Sequence, residues 1–153
     1  MEYRIRAGEP SDLSKILLLE NEIFTDPWTE RMLADVFRAP HLRMLVAEEN
    51  GEILGYATIG IVMDEGELQN IGVSKKARRR GVGTGLMNRM MGLFEEAGVL
   101  RAFLEVRESN APAIALYEGF GFQQVAKRNN YYESPVENAL IYAWNRREKQ
   151  EKS

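Results

Sequence analysis

Five cations fall within six positions, Lys75, Lys76, Arg78, Arg79 and Arg80, and Gly81, Val82, Gly83 and Thr84 follow directly. Glycines let a backbone approach a ligand closely. An apolar periodicity starting near Gly81 predicts a helix there, whose unpaired N–H groups and positive dipole end would converge on the same point. Such a site could hold a phosphate. A solvated basic run ahead of a helix is the plainer alternative, and a lone glycine pair does not choose between the two. A Walker loop fails because no Lys follows Gly83 or Gly85. A dinucleotide fingerprint is weak: Leu86 stands where the third glycine belongs, although Glu105 lies at about the spacing of the ribose-binding acid.

The rest of the chain narrows the chemistry. With no Cys, there is no thiolate metal site, no disulfide framework and no cysteine nucleophile. His41, the one histidine, follows Pro40 with no partner to suggest a triad, and no metal site is expected. A net charge of -3, from 20 Lys plus Arg against 23 Asp plus Glu, disfavours wrapping of nucleic acid. No segment has the length of a signal peptide or membrane span, so a cytoplasmic protein with no membrane partner is expected. The 153 residues suit one domain, 1–145, followed by a charged tail, 146–153.

Periodicity supplies the elements that would carry the basic turn. Strands are expected at Tyr3–Arg6, Met44–Ala47, Ile53–Val62, Glu67–Val73, Leu100–Val106, Phe122–Ala126 and Ala139–Trp144, with Asn50-Gly51 as a hairpin turn. Helices are expected after Ser11 or Asp12 as N-cap, from Thr29 to Phe37, from Gly81 to a stop at Gly98, and over Ala111–Gly119 behind Asn110 as cap. Leu100–Val106 reads as a buried strand, and Asn145–Ser153 as a frayed tail. The order implies an α+β domain, a three-layer arrangement with one central mixed sheet.

Arg78-x-x-Gly81-x-Gly83 follows a strand ending Asn70-Ile71-Gly72-Val73. Further on stand Leu104-Glu105-Val106-Arg107-x-Ser109-Asn110, Ala113, Leu116-Tyr117 and Gly121-Phe122. Together these resemble the GNAT superfamily of acetyl-CoA-dependent N-acetyltransferases over nearly the whole chain. Pro27-Trp28-Thr29, Arg128-x-x-Tyr131-Tyr132-x-x-Pro135 and Glu137-Asn138-Ala139 resemble its RimI-type branch, which acetylates protein N-termini.

The resemblance implies a mostly antiparallel sheet splayed at the cofactor strand. Acetyl-CoA would lie along Ile71, Gly72 and Val73, with its pyrophosphate cradled by Arg78, Arg79, Arg80, Gly81, Val82, Gly83 and Thr84 and a further contact from Asn110. Glu105 stands where the branch carries its general base and Tyr117 where it carries the acid for the departing thiolate. Trp28, Tyr131 and Tyr132 would line the substrate groove. Each residue has a plainer reading: Glu105 as an ion-pair partner of Arg107 or Arg101, Tyr117 as a core tyrosine, Asn110 as a helix cap alone, and the aromatics as packing. The cluster Asp64, Glu65 and Glu67 either attracts a cationic substrate or is a solvated turn.

Two departures from the branch pattern, Asn138 for an acidic residue and Gly72 for alanine, bear on substrate preference. The implied activity is acetyl transfer to a protein N-terminal amine, with the N-terminal alanine of a small-subunit ribosomal protein as the implied partner, by direct attack in a ternary complex. A monomer or weak dimer is expected. A polyamine or antibiotic acetyltransferase and a non-catalytic acetyl-CoA sensor are the alternatives; the presence of both Glu105 and Tyr117 argues against the sensor.

Overall fold

A computed structural model describes residues 2–146. Seven strands form one sheet: β1 (Arg4–Ala7), β2 (Leu42–Glu49), β3 (Glu52–Val62), β4 (Glu65–Val73), β5 (Arg101–Arg107), β6 (Gln123–Glu133) and β7 (Val136–Asn145), in the spatial order β1-β2-β3-β4-β5-β7-β6. Only β4 and β5 run parallel; every other neighbouring pair is antiparallel. Helices α1 (Leu13–Ile23) and α2 (Glu30–Val36) precede β2, α3 (Val82–Glu96) links β4 to β5, and α4 (Ala111–Gly119) links β5 to β6.

The sheet is covered on both faces because its middle strands carry apolar residues in both directions. Along β2, Met44 and Val46 join Ile16 of α1 and Leu33 of α2 in one core cluster. Leu45 and Ala47 point the other way, into a second cluster with Leu86, Met90 and Phe94 of α3. The hairpin expected at Asn50-Gly51 forms, with both residues at positive φ (51° and 80°), as a tight primed turn requires. Thr29 caps α2, accepting from the Met32 N–H at 3.2 Å. At the end of α3, the Val99 N–H reaches back to the Phe94 carbonyl at 2.9 Å, closing the helix at Gly98.

Four expectations need correction. Asp12 stands at the N-cap position of α1 but its side chain makes no capping bond there: a 3-10 turn over Pro10–Asp12 comes first, and the Asp12 carboxylate instead accepts from the Glu9 N–H and from two nitrogens of Arg6 at 2.8 and 2.9 Å. Strand β5 buries one face only, alternating so that Ala102, Leu104 and Val106 are buried while Glu105 is exposed. Strand β6 continues seven residues beyond Ala126 because its pairing with β7 resumes past an irregularity. The chain is also ordered past Trp144: Asn145 closes β7, and the Arg146 N–H donates to the Leu100 carbonyl at 2.9 Å. The rest of the expected tail, 147–153, lies outside the described residues.

Candidate active site

Strands β4 and β5 pair only from Glu65–Leu68 to Arg101–Leu104. Beyond that point β4 continues against β3, with Asn70 opposite Thr58 and Val73 opposite Gly55, while β5 continues against β7. The two parallel strands therefore part. Along Ile71–Val73, the side of β4 facing β5 has lost its ladder partner, which leaves backbone groups to be satisfied by something else. An irregularity in the β3–β4 register, where Gln69 is the extra residue, sits at the start of this open stretch.

At the end of β4 the chain turns through Ser74–Gly81 into α3. Gly81 takes φ +77°, a left-handed conformation that costs a glycine little, and Arg79 is also left-handed at φ +67°. The first bond inside α3 runs from the Gly85 N–H to the Gly81 carbonyl (2.9 Å), so the N–H groups of Val82, Gly83 and Thr84 have no acceptor one turn back. Tyr3 anchors this turn from the N-terminal segment by donating its hydroxyl to the Gly81 carbonyl at 2.8 Å. Arg78 and Arg79 are exposed, whereas Arg80 is directed to Glu49 at 2.8 Å.

A groove of about 810 Å³ lies beside the parting of β4 and β5. Its walls include Ile71, Glu105, Asn110 and Tyr117, together with Trp28, Tyr131 and Tyr132. The structure therefore brings together residues drawn from five separate segments. The basic turn does not line this groove, and neither do Gly72 and Val73.

Glu105 projects from β5 with its side chain 37% exposed, so its presence there carries no burial penalty. Tyr131 donates its hydroxyl to Oε1 of Glu105 at 3.2 Å, and Arg128 stands 3.6 Å from Oε2. The suggested partners are engaged elsewhere: Arg107 with Glu137 at 3.2 Å and Arg101 with Glu65 at 3.2 Å.

Tyr117 is 5% exposed, and burial pushes its phenol pKa well up from the ordinary value. Its hydroxyl makes no hydrogen bond to another described residue, and no shut-off side-chain polar atom among those residues lacks a partner. The Tyr117 hydroxyl therefore opens onto the groove that its ring lines. Asn110 caps α4 by accepting from the Ala113 N–H at 3.2 Å, as its cap reading requires, and it also faces the groove.

Adjacent residues of a regular strand point to opposite faces, yet Tyr131 and Tyr132 both reach the groove. The irregularity between Arg128 and Tyr132, with Asn130 at φ 53°, makes this possible. The two rings meet edge to face with centroids 5.1 Å apart. The Arg107 guanidinium stacks over Tyr132 at 4.3 Å, and burial together with the Glu105 charge pushes the Tyr132 phenol up to about 12. Arg107 also donates to the Pro135 carbonyl at 2.9 Å, tying β5 to the β6–β7 turn. From the opposite wall, Thr25 donates its hydroxyl to the Ser134 carbonyl at 2.6 Å.

Both departures from the branch pattern have structural reasons. A Cβ at position 72 would stand 2.8 Å from the Tyr56 hydroxyl oxygen and 2.9 Å from its ring carbon Cζ, so Gly72 makes room for Tyr56. Asn138 donates to Glu108 at 2.9 Å and accepts from the Asn130 N–H at 2.9 Å. An aspartate there would set one carboxylate against another.

Comparison with known proteins supplies the family to which this fold and site belong. The family model for the acetyltransferase (GNAT) family matches residues 13–122, and the chain belongs to that family. It is an acetyltransferase, and the family uses acetyl-CoA. More narrowly, it is 36% identical over 141 residues to the [Ribosomal protein bS18]-alanine N-acetyltransferase of Escherichia coli K12, covering 91% of this chain and 95% of that one. A Bacillus subtilis relative is 37% identical over 138 residues, covering 90% of this chain and 91% of its own. The crystal structure of the ribosomal-protein-S18-alanine N-acetyltransferase from Escherichia coli superposes with a TM-score of 0.88 at 34% identity, covering 94% of this chain and 93% of that one.

Sequence reasoning gave no site role to Glu20, Arg128 or Tyr3. Glu20 had a visible signal, since it falls one turn after Ile16 on the apolar stripe of α1, where an acidic residue is out of place. Among the described residues, no group of three or more His, Cys, Asp or Glu side chains converges to hold a metal, and no helix is long and apolar enough to cross a membrane.

Proposed function

We propose that this chain transfers the acetyl group of acetyl-CoA to the α-amine of a protein N-terminus, with the N-terminal alanine of a small-subunit ribosomal protein as its substrate. The observation that carries this reading is the groove, which Glu105 and Tyr117 both line beside the unpaired stretch of β4. The similarity to bS18-alanine N-acetyltransferases over nine-tenths of the chain supports the substrate class.

The residues fit acetyl-CoA as co-substrate. Ile71 and Val73, which turn their backbone groups away from β3, suit its amide-bearing arm, with Gly72 between them paired to Tyr56, and the Val73 N–H would polarise the acetyl carbonyl. The free N–H groups of Val82, Gly83 and Thr84 suit a diphosphate, with Arg78 and Arg79 adding charge. Arg80 holds the turn against Glu49, and Gly81 supplies its left-handed bend. Asn110 borders the site from the α4 side.

In the groove, Trp28 and the Tyr131–Tyr132 pair wall the acceptor peptide. An α-amine has an ordinary pKa of about 7.7–8.0, so a modest fraction is already neutral near pH 7 and the base has little to remove. Glu105 takes that proton, directly or through a water, and Tyr131 and Arg128 orient its two oxygens. The amine attacks the thioester carbonyl, and Tyr117 donates its proton to the departing thiolate. With no Cys and no acyl-serine motif in the chain, a covalent acetyl-enzyme has no evident carrier, which favours direct attack in a ternary complex.

The test is mass spectrometry of a panel of N-terminal peptides and polyamines incubated with protein and acetyl-CoA. Acetylation at the α-amine of alanine-initiated peptides is expected; turnover of polyamines alone would overturn the assignment.

A further inference from the structure

Glu20 is a carboxylate with 1% exposure, embedded in the apolar cluster between α1, α2 and the sheet. None of the acid–base steps above uses it. Burying a carboxylate is costly unless its oxygens are fully engaged, and no ion pair reaches this one among the described residues. Three hydrogen-bond donors engage it instead. Oε1 accepts from the Tyr56 hydroxyl at 2.6 Å and from the Asn70 side-chain amide at 2.8 Å, while Oε2 accepts from the Trp28 backbone N–H at 2.8 Å. A carboxylate has acceptor sites for all three and brings no donor of its own to be satisfied.

The three donors come from three different elements. Trp28 belongs to the loop between α1 and α2 that walls the groove. Asn70 stands on β4, one residue past the extra residue Gln69 and immediately before the open stretch Ile71–Val73. Tyr56 lies on β3 beneath Gly72, the residue whose missing side chain makes room for it. One buried group therefore ties the acceptor wall to the strand that faces the thioester.

We infer that Glu20 is a positioning residue: through Trp28 and Asn70 it fixes the spacing between the wall that holds the incoming amine and the strand that presents the acetyl group. This deepens the proposed function and rests on it for the identity of the two substrates. Burial and the Glu20 charge both push the Tyr56 phenol pKa up, so that hydroxyl remains a donor throughout the working pH range. The network has no titrating member on the Tyr56 side.

The experiment compares wild type with Glu20→Met, which keeps length but removes the acceptors, Asn70→Ala, which cuts only the β4 arm at a half-buried site, and Glu20→Gln. Gln can accept from Trp28 and donate to Tyr56 and to a flipped Asn70 amide, so it should rescue. For Glu20→Met, about a tenfold rise in peptide KM and faster hydrogen exchange at the Trp28 amide are expected, with the exchange of α3 unchanged. For Asn70→Ala, about a tenfold fall in kcat is expected, with the coenzyme Kd within about twofold of wild type. Glu20→Gln should stay within about threefold of wild type.

A merely structural Glu20 predicts lower melting temperatures with kcat and KM unmoved, and that result overturns the inference, as does Glu20→Gln failing as badly as Glu20→Met. Should Glu20→Met not fold, Asn70→Ala with unchanged kcat overturns it alone. If wild type acetylates no peptide N-terminus, the proposed function fails separately. The variants are then judged on the amine that wild type does acetylate and on Trp28 exchange, which needs no acceptor.

Discussion

Removing one oxygen from Tyr117 separates its two readings, because its ring and its hydroxyl have different surroundings. The ring is buried against the larger core cluster and stays in Tyr117→Phe. The hydroxyl makes no hydrogen bond to another described residue, so its loss leaves no donor or acceptor stranded. Stability should therefore move by no more than about 0.5 kcal/mol, the range of a substitution that breaks no named interaction. Turnover should fall about 100-fold, the lower end for loss of a general acid, which corresponds to about 2.7 kcal/mol in the barrier. Coenzyme affinity should hold within about twofold, since the hydroxyl acts on the departing thiolate. The assay is steady-state release of coenzyme thiol read with a disulfide reagent, and the absence of Cys removes any protein background. Burial raises the Tyr117 phenol pKa, so its protonated form persists above its ordinary value of about 10, and no alkaline loss of kcat from this group should show below that pH. A kcat within threefold of wild type, or a coenzyme Kd that rises in step with the loss of turnover, would refute the assignment.

Other expectations follow from the same geometry. The double variant Arg78→Gln/Arg79→Gln should weaken coenzyme binding about tenfold at low salt and less at high salt, whereas a salt-independent change in titration calorimetry would place the diphosphate elsewhere. Gly72→Ala should cost about 1–3 kcal/mol through its clash with Tyr56, and calorimetric melting should drop by about 3–10 °C; an unchanged melting point would mean that Tyr56 can withdraw. Arg6, with the Glu9 N–H beside it, holds the Asp12 carboxyl below the usual range, so its contribution is fully present above about pH 4 and is lost as pH falls through the lower folded-state value. Urea midpoints of wild type and Asp12→Asn should accordingly differ at pH 7 and converge toward pH 2; a gap that persists in acid would contradict the pairing.

Much of the architecture is legible in the sequence because the middle strands, the four helices and the caps of the two short ones announce themselves locally. Met44–Ala47 and Ile53–Val62 are apolar runs, and Thr29, Asn50-Gly51, Gly98 and Asn110 stand where their side chains or backbones must act. The far half of β6 is not legible: nearly all its residues are exposed, so no apolar pattern marks it, and only pairing with β7 makes it a strand. That is also why Arg128, quoted in the branch motif, was not read as the cation beside Glu105, while Arg101 and Arg107, close in sequence, were. The splaying of β4 from β5 depends on register, which no local signal encodes. Glu20 illustrates the opposite case, since its place on an apolar stripe was visible but its three donors come from segments 8, 36 and 50 residues away.

Acetyl transfer requires two sites to meet at one point: the open edge of β4 for the acetyl group and the groove lined by Glu105 and Tyr117 for the amine. A conjugate joining coenzyme A through an acetyl bridge to the α-nitrogen of an alanine-initiated peptide would occupy both at once. Titration calorimetry should find it binding at least about 100-fold more tightly than coenzyme A alone, as linked occupancy of adjacent sites requires. Equal affinities for the conjugate and for free coenzyme A would show that the groove does not receive the peptide, and would contradict the account at its centre.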